Sequence, residues 1–183
     1  NIQDKNTIFV DRDSISIYIT SSIFISCITT QNGVVLLQRA RCLTMTHVCT
    51  YDCGCHAESG FLNYDCRDID FSYCLYNTFT KSITDVENSF NIFVRSGSQF
   101  YRCNNLTETT KGGFHFSAPE CFSFSMTTVK CNGSCFQLSG YASDKKVLDK
   151  TIDMVNFLTN NEYLLKLSGE SPFKLTIINS VLL

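Results

Sequence analysis

Eleven cysteines in a chain of 183 residues are the feature that most limits how this protein can fold. Such a density is typical of proteins that fold where disulfides persist, so we expect covalent links between distant segments. The count is odd, which leaves one cysteine as a buried thiol, a link to another subunit, or the partner of a cysteine outside this chain. The disulfide candidates are Cys27, Cys42, Cys49, Cys53, Cys55, Cys66, Cys74, Cys103, Cys121, Cys131 and Cys135.

Two N-glycosylation sequons, which begin at Asn105 and Asn132, fit the same oxidising compartment. Asn105 lies in the polar segment 104–113, which we predict to be an exposed loop, whereas Asn132 lies in a predicted tight turn. We therefore expect a secreted, extracellular or virion-surface protein in which Asn105 is glycosylated more readily than Asn132. Because the chain begins at Asn1 without Met, we expect a removed signal peptide or a piece of a longer protein.

The composition favours strands over helices. Ile, Val, Phe, Tyr and Thr supply 65 residues, against 4 Ala and 6 Glu. A net charge of −2 and a pI near 5.9 argue against a nucleic-acid partner. No apolar run approaches the ~18 residues of a transmembrane helix, so no transmembrane segment is expected in this chain.

The patterns along the chain predict a mainly β, disulfide-rich, antiparallel β-sandwich-like fold in a single domain, 1–183, without internal repeats. Ile15, Ile17 and Ile19 alternate with polar residues, as in a half-buried strand, and 23–27 resume the alternation. Gln31-Asn32-Gly33 and Asn132-Gly133 are predicted hairpin turns. Residues 42–74 combine many cysteines with few aliphatic side chains, which predicts an irregular loop region held by disulfides.

One C-terminal α-helix is predicted at about 144–159. Ser143 is a candidate N-cap. Apolar and Thr side chains then follow at helical spacing, namely Val147, Leu148, Thr151, Ile152, Val155 and Leu158. Residues 173–183 are too apolar for a free tail, so we expect a strand within this domain or one that pairs with a neighbouring subunit.

No catalytic, cofactor-binding or metal-binding residue is assigned from the sequence. His47 and His56 flank the densest cysteine cluster, where zinc is the alternative to disulfides. His115, the third histidine, has no catalytic sequence context, and acidic pairs such as Asp68 and Asp70 fit a solvated surface. Most of the 15 phenylalanines lie at alternating strand positions and are expected in the core. Some of those in 114–124 are expected to exceed what the core holds and to form an exposed aromatic patch for a partner.

Cys131 and Cys135 flank the Asn132-Gly133 turn. A two-residue hairpin turn would point their side chains to opposite faces of the sheet, which predicts disulfides to different partners, Cys121 or Cys103 being a candidate for one of them. A three-residue loop, the alternative, would place the two cysteines opposite one another.

The step Cys53-Gly54-Cys55 resembles the cysteine-clustered fusion-loop region of phlebovirus-type class II fusion glycoproteins. The resemblance covers about ten residues and implies a membrane-inserting loop in a viral surface protein. The bulky apolar tip of such a loop is replaced by polar residues, among them His47 and Asp52.

Three functions are consistent with these observations. The first is a secreted or surface-exposed glycoprotein domain, viral or parasitic, with a binding, attachment or assembly role. The second is a stand-alone secreted ligand-binding or immune-modulating protein. The third is a fragment of a class II-type fusion glycoprotein, or an extracellular hydrolase. We expect a non-enzyme without cofactors that binds a protein partner or receptor, and that forms oligomers through the odd cysteine or the C-terminal strand.

Overall fold

A computed structural model describes ten ranges of the chain: 2–3, 5–56, 59–66, 71–84, 90–95, 98–117, 122–140, 148–159, 163–169 and 173–183. Every regular element within them is a β-strand. The first thirteen are β1 (Ile2–Gln3), β2 (Ile8–Asp11), β3 (Ser16–Thr20), β4 (Ile23–Ile25), β5 (Ile28–Thr29), β6 (Val35–Ala40), β7 (Cys42–Thr46), β8 (Cys49–Tyr51), β9 (Gly54–Cys55), β10 (Ser59–Cys66), β11 (Phe71–Leu75), β12 (Thr78–Thr80) and β13 (Ile83–Thr84). The others are β14 (Phe90–Arg95), β15 (Ser98–Arg102), β16 (Asn105–Thr109), β17 (Gly112–Ser117), β18 (Phe122–Ser125), β19 (Thr128–Cys131), β20 (Phe136–Gly140), β21 (Leu148–Asp153), β22 (Asn156–Thr159), β23 (Leu165–Gly169), β24 (Phe173–Ile178) and β25 (Val181–Leu182).

The strands form a parallel β-solenoid. Sheet 1 runs β2-β6-β10-β14-β17-β20-β23, sheet 2 runs β3-β7-β11-β15-β18-β21-β24, and sheet 3 runs β4-β8-β12-β16-β19-β22-β25. A shorter sheet 4, β1-β5-β9-β13, lies beside the early part. Each circuit of the chain, here called a coil, therefore adds one strand to each of the three long sheets.

The predicted antiparallel β-sandwich is wrong, because every described strand pairing is parallel. Ile92, for example, pairs with Phe114 on the following strand of sheet 1. Residues at the two predicted hairpins instead lie at corners of the solenoid: β19 belongs to sheet 3 and β20 to sheet 1. The prediction that the chain has no internal repeat fails for the same reason, since the coil is the repeating unit.

The corner between sheets 2 and 3 has the same backbone conformation in every coil. One residue there has a positive φ of about 50–60°, the left-handed region, and its side chain projects outward; the set is Ser21, His47, Tyr76, Cys103, Met126, Met154 and Asn179. A left-handed residue reverses the chain direction locally, so the strict alternation of a strand starts again on its far side.

A ladder of buried polar side chains supports this corner from within. Asn77 accepts a hydrogen bond from the backbone N–H of Val48 (2.9 Å). Asn104 accepts one from the N–H of Asn77 (3.2 Å), and Thr127 one from the N–H of Asn104 (3.3 Å). Each coil thus satisfies an inward-pointing N–H of the coil before it, which water cannot reach.

The predicted helix at 144–159 is wrong. Residues 141–147, including the candidate N-cap Ser143, lie outside the described residues, and the rest forms β21 and β22. Ile152, Val155 and Phe157 are buried. The left-handed Met154 inserts one residue into the alternation, so the buried Ile152 and Val155 are three positions apart and not two. This spacing of three imitates the spacing of apolar residues along a helix.

The predicted irregular, disulfide-held region 42–74 is also wrong. Its described part contains β7 to β11, all of them strands of the solenoid. No disulfide joins the nine cysteines that the structure describes. The region is held instead by strand pairing and by buried side chains such as Leu43, Met45 and Phe61.

Aromatic side chains fill the core of the later coils. Tyr101 and five phenylalanines, Phe114, Phe116, Phe124, Phe136 and Phe157, are all less than 2% exposed. Ring centroids of Phe114 and Phe124 lie 4.9 Å apart in an edge-to-face arrangement. The expectation that most phenylalanines lie in the core is confirmed for these five, and the exposed patch expected within 114–124 is wrong for Phe114, Phe116 and Phe124. The side chain of Phe122 lies outside the described residues.

Candidate binding groove

A groove of about 440 Å³ crosses the outer face of sheet 2 and the adjoining corner. It extends over four coils, from β11 to β21, and is lined by aromatic, methionine and polar side chains. Its lining includes Tyr73, Tyr76, Phe100, Arg102, Ser123, Ser125, Met126, Asp153 and Met154. We call this surface the corner groove.

Strand register brings these distant residues together. Tyr73 pairs with Phe100, which pairs with Ser123 on the next strand. The rings of Tyr73 and Phe100 stack, with centroids 5.5 Å apart and an interplanar angle of 22°. Ser123 has a shorter side chain than Phe100 and Tyr73, so the outer surface of this row is depressed at Ser123. This depression forms part of the corner groove.

The corner residues form the second wall of the corner groove. Tyr76, Met126 and Met154 occupy left-handed positions, from which they project into solvent, and they are 52%, 45% and 48% exposed. The imidazole of His47 stacks on the Tyr76 ring at 5.2 Å, which holds that ring in place. These three exposed apolar side chains lie together along one groove, and a contiguous apolar surface of this kind is typical of an interaction site.

Opposite charges lie along one row of the groove. Arg102 pairs with Ser125, and Ser125 pairs with Asp153, so the three occupy equivalent outer positions on consecutive strands. Two strand spacings separate the cation from the carboxylate, about 10 Å between backbones. The Asp153 carboxylate also accepts a hydrogen bond from the Asn179 side chain (3.2 Å). The row therefore offers donors at one end, a hydroxyl in the middle and an acceptor at the other.

A second polar cluster lies on the outer face of sheet 1. His115 Nε2 and Ser139 Oγ are 2.9 Å apart. Burial, with the nearby charges of Lys166 and Arg95, lowers the pKa of His115 to about 4, so its imidazole is neutral at pH 7. In the described part of the chain no carboxylate hydrogen-bonds to His115, and a nucleophile–base pair needs such an orienting third group.

The cysteine cluster at 49–55 does not come together as one site. Cys49 is exposed on the outer face of sheet 3, whereas Cys53 and Cys55 are buried. Burial raises the pKa of Cys53 to about 11, which keeps this thiol protonated. The segment that resembles a fusion loop therefore lies in the solenoid wall, and no group of three or more metal-ligating side chains occurs among the described residues.

The other cysteines are dispersed. Cys27, Cys42 and Cys103 are half-buried, and Cys74 is buried in the core. The side chain of Cys66 and all of Cys121 lie outside the described residues, as do Asp68 and Asp70.

Cys131 and Cys135 were predicted to face opposite sides of a sheet, and this is wrong. Their sulfur atoms lie 3.3 Å apart, both buried. The reason is that Asn132-Gly133-Ser134 passes around a corner between two sheets, so the alternation of a hairpin does not apply. The hydrogen bond with Cys135 and burial raise the pKa of the Cys131 thiol.

Both sequon asparagines are exposed. Asn105 begins β16 on the outer face of sheet 3. The loop predicted for 104–113 is therefore wrong, because the segment contains β16, which pairs on both sides, and the start of β17. Asn132 lies at the corner that precedes β20.

Comparison of the chain with protein-family models, with curated proteins and with solved structures found no match. The corner groove is thus interpreted from its own geometry. Sequence reasoning missed it because its members are spread over 82 positions, from Tyr73 to Met154. The available signal was local: an outward Tyr or Met directly before a buried Asn, Thr or Val, as in Tyr76-Asn77, Met126-Thr127 and Met154-Val155.

No helix in the described part of the chain has the length and hydropathy that crossing a bilayer requires.

Proposed function

We propose that this protein is a binding domain of a secreted or surface-exposed glycoprotein and that the corner groove holds its partner. The observation that carries the proposal is the exposure of Tyr76, Met126 and Met154 along one groove. Concave surfaces lined by apolar side chains with a few convergent polar groups are the usual form of ligand sites.

The scaffold suits attachment. The groove side chains on β11, β15, β18 and β21 project from strands that pair on both sides. The corner residues Tyr76, Met126 and Met154 follow directly on these strands, and each donates its backbone N–H to a carbonyl oxygen of the next coil. Strand pairing and these hydrogen bonds fix the backbone under the groove. The chemistry of the lining favours binding over catalysis, because Arg102 and Asp153 are its charged groups and its described part contains neither histidine nor cysteine. An attachment or assembly role and a stand-alone ligand-binding role both use the groove in this way.

Exposure of Asn105 and Asn132 supports the secretory part of the proposal. The cysteines do not add to it, since none of those described forms a disulfide. Expression in a eukaryotic host followed by peptide mapping tests this part: we expect glycan on Asn105, and an unmodified Asn105 would contradict it.

A groove-filling variant tests the binding role. Ser123→Phe extends the stack of Tyr73 and Phe100 into the corner groove. Thr44→Phe, at the equivalent outer position on the other side of Tyr73, is the matched control. Both variants add the same side chain to the same sheet face.

Ligand-detected NMR with a library of small aromatic, aliphatic and polyol fragments is the assay. We expect wild-type protein and Thr44→Phe to bind a common set of fragments, and Ser123→Phe to lose it. A wild-type protein that binds no fragment, or equal binding by all three proteins, would refute the groove as a site.

A further inference from the structure

We propose that the ligand of the corner groove is a neutral glycan, an inference that rests on the proposed function and names the ligand class of that same site. The groove combines aromatic rings with two separated groups of opposite charge, the Arg102 guanidinium and the Asp153 carboxylate. Four features of the groove lead to this class.

The aromatic wall suits a sugar ring. Tyr73 and Tyr76 are 39% and 52% exposed, and both line the groove. The face of an aromatic ring carries partial negative charge, against which the polarised C–H bonds of a pyranose pack. His47, stacked on Tyr76, restricts that ring, so little rotamer freedom is lost when a ligand binds.

The polar row suits hydroxyl groups. The Arg102 guanidinium supplies only donors, and the Asp153 carboxylate supplies only acceptors. A hydroxyl group both donates and accepts, so a ligand with several of them satisfies both ends of the row and the Ser125 hydroxyl between them. A hydrocarbon ligand would leave both charged groups without partners as it excluded water from them.

The charge balance favours a neutral ligand. Among the described residues, one cation, Arg102, and one carboxylate, Asp153, line the groove, and their charges cancel. An anionic glycan gains from Arg102 but is repelled by Asp153, and a cationic ligand meets the reverse situation.

The backbone argues against an extended polypeptide. Peptides commonly bind by adding a strand to a sheet edge, which requires unpaired N–H and C=O groups. The strands under the corner groove, β11, β15, β18 and β21, each pair with neighbours on both sides. A peptide in the corner groove could therefore contact only protein side chains and would make no backbone hydrogen bonds to the sheet. A glycan can be bound by protein side chains alone.

Matched substitutions separate a site from a general surface effect. Tyr76→Asn removes the exposed ring and keeps a residue that tolerates the left-handed conformation. Tyr18→Asn is the control: Tyr18 is an outer residue of the same sheet, 69% exposed, and does not line the groove. Arg102→Gln and Asp153→Asn each remove one charge from the polar row.

A glycan array with neutral, uronate-containing and sialylated oligosaccharides identifies the ligand, and calorimetric titration with the best neutral oligosaccharide then compares the variants. We expect neutral glycans to bind. Affinity should fall about tenfold or more in Tyr76→Asn, Arg102→Gln and Asp153→Asn, and remain unchanged in Tyr18→Asn. If Tyr76→Asn unfolds, Ser123→Phe replaces it, with Thr44→Phe as its control.

The failures are distinguishable. Groove-dependent binding of fragments without any binding of neutral glycans refutes the glycan and leaves the proposed function standing. Groove-dependent binding of a peptide library, or of charged glycans alone, also refutes the neutral glycan as the ligand and leaves the proposed function standing. Neutral-glycan binding that Tyr18→Asn and Tyr76→Asn weaken equally refutes the site. Absence of both fragment and glycan binding refutes the proposed function itself.

Discussion

Replacing Asn104 with Ala tests whether the polar ladder holds neighbouring coils together. The Asn104 Oδ1 accepts hydrogen bonds from the backbone N–H of Asn77 (3.2 Å) and from its Nδ2 (2.9 Å). The Asn104 Nδ2 donates to the carbonyl oxygen of Cys74 (2.8 Å). All three bonds are buried, so Asn104→Ala leaves the partners of the lost amide with no access to water.

The magnitude follows from these three bonds. Each lost bond costs about 1 kcal/mol, and more when the remaining group stays buried without a partner. We therefore expect the free energy of unfolding to fall by about 3–4 kcal/mol. For a domain of this size, 1 kcal/mol corresponds to about 2–4 °C in Tm, so the Tm should fall by about 10 °C.

Asn105→Ala is the control, because Asn105 is the next residue and its side chain is exposed. Urea unfolding followed by far-ultraviolet circular dichroism should show a change within about 0.5 kcal/mol for this variant. The double variant with Asn77→Ala should lose less than the sum of the single losses, since the hydrogen bond from Asn77 Nδ2 to Asn104 Oδ1 is already lost in each single variant. Equal stability of Asn104→Ala and Asn105→Ala would refute the ladder as a source of stability.

Three further predictions concern titration, reactivity and packing. His115 has a pKa of about 4 in the folded protein and about 6.5 in the unfolded chain, so between these values the unfolded chain binds one more proton. The free energy of unfolding should therefore be highest above pH 6.5 and fall by about 2 kcal/mol toward pH 4. Urea titrations across this range should show that His115→Gln removes the decrease. Iodoacetamide at pH 8, followed by mass spectrometry, should modify exposed Cys49 within minutes and spare Cys74, whose pKa burial raises to about 12; early modification of Cys74 would contradict its place in the core. Gly54→Ala should cost at least about 2 kcal/mol in the same urea assay, because the added Cβ would lie 1.9 Å from the carbonyl oxygen of Ile83; unchanged stability would refute that close approach.

The composition correctly predicts a chain of β-strands, but the residue patterns miss the strands within 42–74, 104–113 and 148–159 and predict the wrong pairing direction. Alternation correctly places Ile19 against the core, but the same pattern continued through 23–27 predicts Ile23 and Ile25 on the core side. In the structure Phe24 is buried, and Ile23 and Ile25 are 72% and 63% exposed. The left-handed Ser21 resets the alternation at the corner, and a residue count along the sequence carries no mark of that reset.

Coil length hides the repeat. Residues paired in sheet 1 are 22 positions apart from Ile92 to Phe114, but 30 apart from Leu62 to Ile92. Self-similarity at a fixed period is the usual signal of a solenoid, and here the period varies. Each strand pairs with a strand one coil away in the sequence and not with its immediate neighbour along the chain. The turn residues at 31–33 and 132–133 therefore suggested hairpins that do not form.

The prediction of disulfides between the described cysteines failed because a cysteine count carries no information on the distances between the thiols. Cys53, Cys55 and Cys74 are buried as small apolar side chains, a role that free cysteine commonly has. The corner groove could not be derived either, since it depends on which residues share an outer row, such as Arg102 with Asp153.

The parallel stacking of the strands fixes how the corner groove responds to a ligand. One wall stands on consecutive strands at the constant spacing of a hydrogen-bonded sheet, and the corner residues of the other wall follow directly on those strands. The backbone distance between Tyr73 and Ser123 therefore cannot change without breaking strand pairing. Such a site has no closed state to adopt and pays little ordering entropy on binding. Association should therefore follow a single exponential at all ligand concentrations, with a rate that rises linearly and shows no plateau from a conformational step.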